Sequence, residues 1–417
     1  MILNPSAPEP SDRTKTADAQ AAWRRSTSGL PAERRAAAGV PADRRHPGTP
    51  ARSRRKRIAL SLSGGGLTGA YYEIGCLAAL DDFLGFDFSS SGFDIYIGVS
   101  AGATVAGLLA KGVPIRKIYW ALLTNSDDTL NFRRADMYDV NRWAILFSAI
   151  KIGLSVPGYF VSCLQTRLRP SPFEFMHYIE ERLPAGLFAL DNYQRFFAKV
   201  LEAHGKTDSF ADIERELYIP ATDLDLGTRR VFSSADAETV PLSHAVAASS
   251  AIPLFFRPFK VEGRDYIDGS TGKVAHLDVA IKAGASTVLI INPLVNISND
   301  QEAVCIPRRD GKCARIKEKG MSFIHDQASR IETRVRLDGE IRRYQAEFPE
   351  VKMYRIEPSS SEVILFLHNT MSVQEREAIL RYGYTSMTSI LKRRRAVIQE
   401  LMQFHGLNPP DEALAGG

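Results

Sequence analysis

Cysteine is scarce, with four in 417 residues, at positions 76, 163, 305 and 313. No C-x-x-C pair occurs and no histidine stands at zinc spacing from any of them, which excludes a zinc ribbon or a dithiol redox centre. Cys305 and Cys313 bracket a polar, basic loop, so a local bridge is open there. Nothing else speaks for an oxidising compartment, and the two are expected to remain thiols. No apolar run reaches the ~18 residues that a spanning helix needs. The first residues lack a charged stretch followed by an apolar one, so no secretory leader is expected. No Lys-Ser/Thr pair follows the glycine cluster at 64–69, so the Walker phosphate loop is missing.

Charge is missing from most of the chain too. The net charge is +5, but residues 1–57 hold 13 Lys/Arg against 5 Asp/Glu, and the remainder holds 40 against 43. A body this close to neutral is not expected to bind nucleic acid. Residues 1–57 carry Trp23 as their sole aromatic and repeat Arg-Arg at Arg24, Arg34 and Arg44. They cannot bury enough apolar surface to offset ordering entropy, so a disordered basic segment is expected. It reads as a solvated tail, with attraction to anionic lipid as the alternative.

Order is expected from residue 58. The alternation over 58–63 predicts a first strand, followed by the glycines of 64–69 and a helix over 70–83. A second strand, 93–97, runs through Gly98-Val99-Ser100-Ala101-Gly102 into a small-residue helix, 103–110. Two strand–turn–helix units in series argue for an α/β fold with a mainly parallel central sheet flanked by helices. Helices are expected over 114–123, 173–183 and 191–204, the last two within a helical, cap-like insertion. The apolar stretch 143–156 is read as a core helix, with a lid or membrane-contact element as the alternative. Further on, strands are expected at 217–223 and 230–234, and a helix at 243–251. A hairpin over 260–267, a helix over 274–283 and a strand at 287–292 follow. Beyond 300 come a charged helix, 322–344, and a last strand, 351–356. Ser372 and Glu375 form a capping box for a closing helix that carries Lys392 to Arg395. The domains are thus read as 1–57, a catalytic 58–300, and a C-terminal extension 301–417 packed on it.

Ser100 carries the chemistry. A tight turn between a buried strand and a helix lifts its hydroxyl out of the sheet, and the flanking glycines remove Cβ atoms that would collide with neighbours. The pentapeptide alone arises by chance in roughly one chain of this length in seven; the strand before it and the helix after it give it weight. Gly64, Gly65 and Gly66 offer backbone N–H groups at a helix start, where an anion is favoured. A plain tight turn, or a dinucleotide loop of the form Gly64-x-Gly66-x-x-Gly69, would use the same glycines, but the Ser100 turn downstream favours an oxyanion hole over a nucleotide. Of the eight histidines, none has a context that marks it as a base. Asp268 stands at the end of a strand in Asp268-Gly269-Ser270, where it is either a turn residue or a base.

Gly64-Gly65-Gly66-Leu67-Thr68-Gly69, then Gly98-Val99-Ser100-Ala101-Gly102, then 247–253 leading to Asp268-Gly269-Ser270, together resemble the ordered signature of patatin-like phospholipases. The resemblance covers roughly 58–293. It implies a lipid acyl hydrolase, of phospholipase A or lysophospholipase type, with a Ser–Asp dyad and no metal or cofactor. In that reading Ser100 is the nucleophile, Asp268 the base, and Gly64, Gly65 and Gly66 the oxyanion hole, to which elbow geometry adds the Ala101 N–H. Thr68 replaces a residue that is usually basic in the family, and Ser270 one that is usually Gly or Ala. The expected partner is a phospholipid or other acyl lipid, met by transient contact with a membrane surface; the expected location is cytoplasmic and peripheral. The rival readings are a Ser–His–Asp lipase or thioesterase, and a non-catalytic lipid-binding protein.

Overall fold

The computed structural model describes residues 56–126, 128–131, 136, 139–140, 142–167, 169–299, 304–307, 312–367, 375–394, 398, 402 and 406. The expected basic segment lies outside the described residues except for its last two, as do Ser372 and Arg395.

β1 (Arg57–Leu62) is apolar or small on both faces, and every residue from Ile58 on is buried, as suits a central strand with helices on either side. It runs through three glycines into α1 (Gly66–Leu84). β2 (Ile95–Gly98) lies parallel to β1 with Gly98 opposite Leu62, and passes through Ser100 into α2 (Ala101–Ala110), followed by α3 (Ile115–Leu123). An arm comes next: β3 (Asp139–Val140), α4 (Arg142–Thr166), α5 (Pro172–Glu180) and β4 (Gly186–Ala189). The chain returns through α6 (Asp191–Ala203), β5 (Glu216–Asp223), β6 (Thr228–Phe232) and α7 (Leu242–Ser249). Then come β7 (Leu254–Phe256), β8 (Phe259–Val261), β9 (Arg264–Asp268), α8 (Leu277–Lys282) and β10 (Ala285–Ile291). A small ladder of β11 (Ile306–Pro307) and β12 (Cys313–Ala314) precedes α9 (Met321–Glu347), β13 (Lys352–Ile356) and α10 (Arg376–Arg393).

The central sheet has the order β13-β10-β1-β2-β5-β9-β8, with β6 also paired to β5. Its first five strands are mutually parallel, and β6, β9 and β8 extend it antiparallel. The α/β class and the mainly parallel sheet therefore stand as read. The turns after β1 and β2 fall side by side at the carboxyl ends of adjacent parallel strands, where open α/β sheets form their clefts.

Four expectations change. The stretch 143–156 is not a core helix: it belongs to α4, which runs on through Pro157 and leaves Trp143, Phe147 and Leu154 exposed. Apolar periodicity locates a face but not what covers it. The helix 191–204 is not part of a cap: α6 buries Tyr193, Phe197, Val200 and Leu201 in the main core, with Phe197 against Gly107. Residue 300 does not divide catalytic body from extension, because β13 pairs with β10 at the edge of the sheet and α10 lies along α1. A Cβ on Gly383 would strike the Tyr72 carbonyl oxygen, so glycine lets these two helices touch backbone to backbone. Finally, Cys305 and Cys313 are joined in a disulfide across the β11–β12 ladder; the ladder brings together two residues whose sequence context alone left them unpaired.

Candidate active site

Ser100 sits between β2 and α2 with φ 55° and ψ −131°, a backbone conformation that side chains other than glycine rarely adopt. Such strain costs on the order of 1–3 kcal/mol and persists only when surroundings enforce it. Here the Val99 N–H donates to the Leu62 carbonyl at 3.0 Å, and the Gly102 N–H closes the turn on the Val99 carbonyl at 2.9 Å. A Cβ on Gly98 would lie 2.6 Å from the Ala103 Cα, and one on Gly102 2.7 Å from the Leu62 carbonyl oxygen. The Ser100 N–H donates to the Ser249 hydroxyl oxygen at 3.0 Å, and that hydroxyl donates to the Pro220 carbonyl at 2.6 Å. Ser249, at the end of α7, thus ties the turn to β5.

Asp268 ends β9, opposite Ala221 of β5, and its N–H donates to the Ala251 carbonyl at 3.0 Å. It is buried, as is Ser100. Burial pushes its carboxyl above the usual carboxylate range, while the Ser100 side chain and the hydrogen bond from the Ser270 N–H, at 2.8 Å, pull it back. Residues far apart in the sequence thus come to act on one another. Gly269 packs against the Pro220 carbonyl, where a Cβ would collide.

Further polar groups hold the Asp268 turn. His276 is fully buried; its Nε2 meets the Gly269 carbonyl at 3.2 Å and its Nδ1 meets Arg229 Nη1 at 3.1 Å. A guanidinium only donates, so Nδ1 accepts and Nε2 carries the hydrogen given to Gly269. Burial and the neighbouring Arg229 push the imidazole down to about 3, so it stays neutral. Asp278, for its part, would be raised by burial, but Arg229 and Lys273 hold it well below the ordinary carboxylate range. Arg336 donates to the Ser270 and Thr271 carbonyls at 3.2 and 2.7 Å. Among the described residues, no histidine is hydrogen-bonded to Ser100 or Asp268.

Gly64, Gly65 and Gly66 have φ values of 75°, 108° and 66°, three successive residues in the region that favours glycine. At Gly64 a Cβ would also strike the Val99 carbonyl and lie 2.9 Å from the Ser100 Cβ, so the loop rests directly on the turn. Leu67 and Thr68 are buried in the first turn of α1, and Gly69 lies against the Gly64 carbonyl. One expected donor is occupied, however. The Gly64 N–H donates to Glu73 Oε1 at 2.9 Å, which leaves Gly65, Gly66 and Ala101 as the N–H groups open to an anion. Glu73 is wholly buried, which raises its carboxyl well above the ordinary range and keeps it neutral, with Oε2 lacking a hydrogen-bond partner.

The sequence reading missed Ser249, Glu73, His276 and Arg229. Ser249 lies in the stretch already set beside the phospholipase motifs, so its place there was a signal; the other three act across space and left none.

A narrow apolar crevice opens beside Ala101, lined by Leu67, Thr104, Leu108, Tyr193 and Phe196. Its open volume is about 40 Å³, so a long chain enters only if side chains such as Phe196 turn aside. A larger cleft of about 1040 Å³ lies elsewhere, between β13 and α10. Its Arg355 is paired with Asp338 and Glu357 of the protein itself.

Chemically, the turn presents a strained, buried hydroxyl to a carboxylate, with backbone donors on one side and an apolar wall on the other. The family model for patatin-like phospholipases matches residues 60–281. A curated relative, Uncharacterized protein R571 of Acanthamoeba polyphaga mimivirus, is 24% identical over 224 residues, which are 53% of this chain and 61% of that protein. The chain thus spans about three fifths of that relative's length. Among solved structures, VipD from Legionella pneumophila is 15% identical, with 81% of this chain and 67% of that chain covered and a TM-score of 0.34. The type III effector ExoU is 16% identical, with 82% and 53% covered and a TM-score of 0.34. ExoU was also solved with SpcU from the type III secretion system of Pseudomonas aeruginosa, at 13% identity, with 81% and 52% covered and a TM-score of 0.30.

Proposed function

The chain belongs to the patatin-like phospholipase family, and from that premise we propose that it is a lipid acyl hydrolase of phospholipase A or lysophospholipase type, working through Ser100 and Asp268. The observation that carries the reading is the strained turn that sets the buried Ser100 hydroxyl within the influence of the buried Asp268 carboxyl. In the reaction, Asp268 takes the Ser100 proton as the hydroxyl oxygen attacks the ester carbonyl. The Gly65, Gly66 and Ala101 N–H groups hold the tetrahedral oxyanion. The proton passes from Asp268 to the leaving alcohol or lysolipid, and a water, activated by the same carboxylate, releases the fatty acid. The apolar lining of the crevice beside Ala101 suits an acyl chain once side chains such as Phe196 turn aside.

The Ser–His–Asp alternative has less support, because His276, which is bonded into the Asp268 turn, gives its Nε2 hydrogen to the Gly269 carbonyl. The same reading has the protein touch membranes transiently and take no nucleic acid, while the Cys305–Cys313 bond speaks against the cytoplasmic location expected from the sequence.

A fluorophosphonate probe tests the nucleophile. The expected result is covalent label on Ser100, absent in Ser100→Ala and slowed in Asp268→Asn. An inert Ser100 would leave a lipid-binding protein on the same fold, and loss of labelling in a histidine variant that keeps its fold would favour the triad. Incubation with a mixed lipid panel, products identified by mass, then fixes head group and chain.

A further inference from the structure

The arm between β3 and β4 keeps its large apolar side chains outside. Tyr159 of α4 is buried against Phe175 and Tyr178 of α5, with ring centroids 5.2 and 5.4 Å apart. That contact covers one spot on α4. Trp143, Phe147, Ile150, Leu154 and Val161 recur at helical spacing along it and stay exposed, Leu154 by 77% and Trp143 by 71%. Phe173 of α5 is 88% exposed beside them. A stripe of this size on a water-soluble surface marks a contact with something apolar.

The charges identify that contact. From Arg142 to Arg169 the chain contains four cations, Arg142, Lys151, Arg167 and Arg169, all exposed, and no Asp or Glu. Arginines at both ends of an apolar helix, with Lys151 at the edge of its stripe, match a surface of acyl chains below anionic phosphates. They do not match a second copy of the same arm, whose cations would face these. The topology also decides how the helix sits. α4 has 25 residues, about 37 Å of helix, whereas α5 has 9, about 13 Å. β3 pairs with β4, Asp139 opposite Ala189, so the arm leaves and re-enters the body at one place. α5 is too short to return across a bilayer, and the arm therefore lies in its surface.

We propose that α4 is the element by which this protein seats on an anionic bilayer. β4 pairs with β7, which starts three residues after Ala251, whose carbonyl holds the Asp268 N–H. The seat is thus joined to the rim of the site by a short, hydrogen-bonded path. That the bilayer also supplies the substrate rests on the lipid-hydrolase reading; the contact itself does not.

The test uses the full chain and vesicles of phosphatidylcholine with and without phosphatidylglycerol. Wild-type protein is expected to sediment preferentially with the anionic vesicles. Brominated acyl chains should quench its fluorescence, and much of that quenching should vanish in Trp143→Phe. Phe147→Glu with Leu154→Glu should cut partitioning by about tenfold or more. Hydrolysis of a monomeric short-chain ester should stay unchanged while hydrolysis of vesicle lipid falls with the partitioning. Equal partitioning of the double variant, with Trp143 unquenched, overturns the proposal. So does a wild-type dimer in sedimentation equilibrium that the double variant dissociates while vesicle binding persists. If wild-type protein cleaves no ester at all, the hydrolase reading falls and the quenching result still decides the contact.

Discussion

α2 and α4 are both apolar helices, yet α2 is buried at every residue but Thr104 while α4 keeps Trp143, Phe147 and Leu154 in water. Side-chain size accounts for the difference. α2 is built of Gly102, Ala103, Ala106 and Gly107 between larger residues, so strand and helix backbones close in on it. Apart from Tyr159, α4 projects aromatic and leucine side chains that stay exposed among the described residues, and brackets them with arginines. Around Ser100, then, apolarity serves an immobile floor; in the arm it serves an external surface.

The widest separation between the two regions is in catalysis. Ser100→Ala and Asp268→Asn should each lower fatty-acid release by about a thousandfold or more, with the melting temperature held within a few degrees. No single arm substitution should reduce turnover of a monomeric ester measurably. Stability gives the next largest contrast. Leu108→Glu, in the floor, places an unpaired charge in the core and should cost about 4 kcal/mol or more, whereas Leu154→Glu should lie within about 0.5 kcal/mol of wild type in urea unfolding. Equal costs would mean that the arm is covered after all.

Two finer tests stay within the floor. His276→Ala removes the donor to the Gly269 carbonyl and should lower kcat by about tenfold with little change in KM, since the residue positions Asp268 and touches no substrate. The wild-type activity should fall as pH drops through the Asp268 value, which burial sets above the usual carboxyl range, and the His276→Ala profile should keep that limb. A lost limb would make the imidazole the base. The smallest effect concerns Glu73. Its folded form keeps a proton that the unfolded chain sheds once pH exceeds the ordinary glutamate range, so stability from this group is present at low pH and drains away as pH rises toward the folded value. Glu73→Gln keeps an acceptor for Gly64 and nothing to titrate. The stability of Glu73→Gln relative to wild type should therefore grow with pH across that window; a flat difference would show the carboxyl to be ionised.

Legibility followed distance along the chain. The two glycine turns and Ser100 were readable because strand, turn and helix lie within a few residues, and Asp268 because its Asp-Gly turn closes a hairpin. Their junction was legible through the family's motif order. Glu73 was hidden because a carboxyl in an apolar helix acquires meaning only when Gly64 folds back over it. Ser249 and His276 act on residues from other strands. The arm was misread because helical spacing is the same whether the covering layer is protein or something else. The boundary at 300 failed because a parallel sheet accepts its edge strand from anywhere in the chain, here from Lys352–Ile356.

That late strand sets a limit on dissection. A fragment cut to 60–281 would forfeit both β10 and β13 and bare the side of α1 where Gly75 and Gly383 let α10 lie close. The glycines at 64–66 open that very helix, so the shortest piece expected to work reaches Arg393, far past the motifs that announce it.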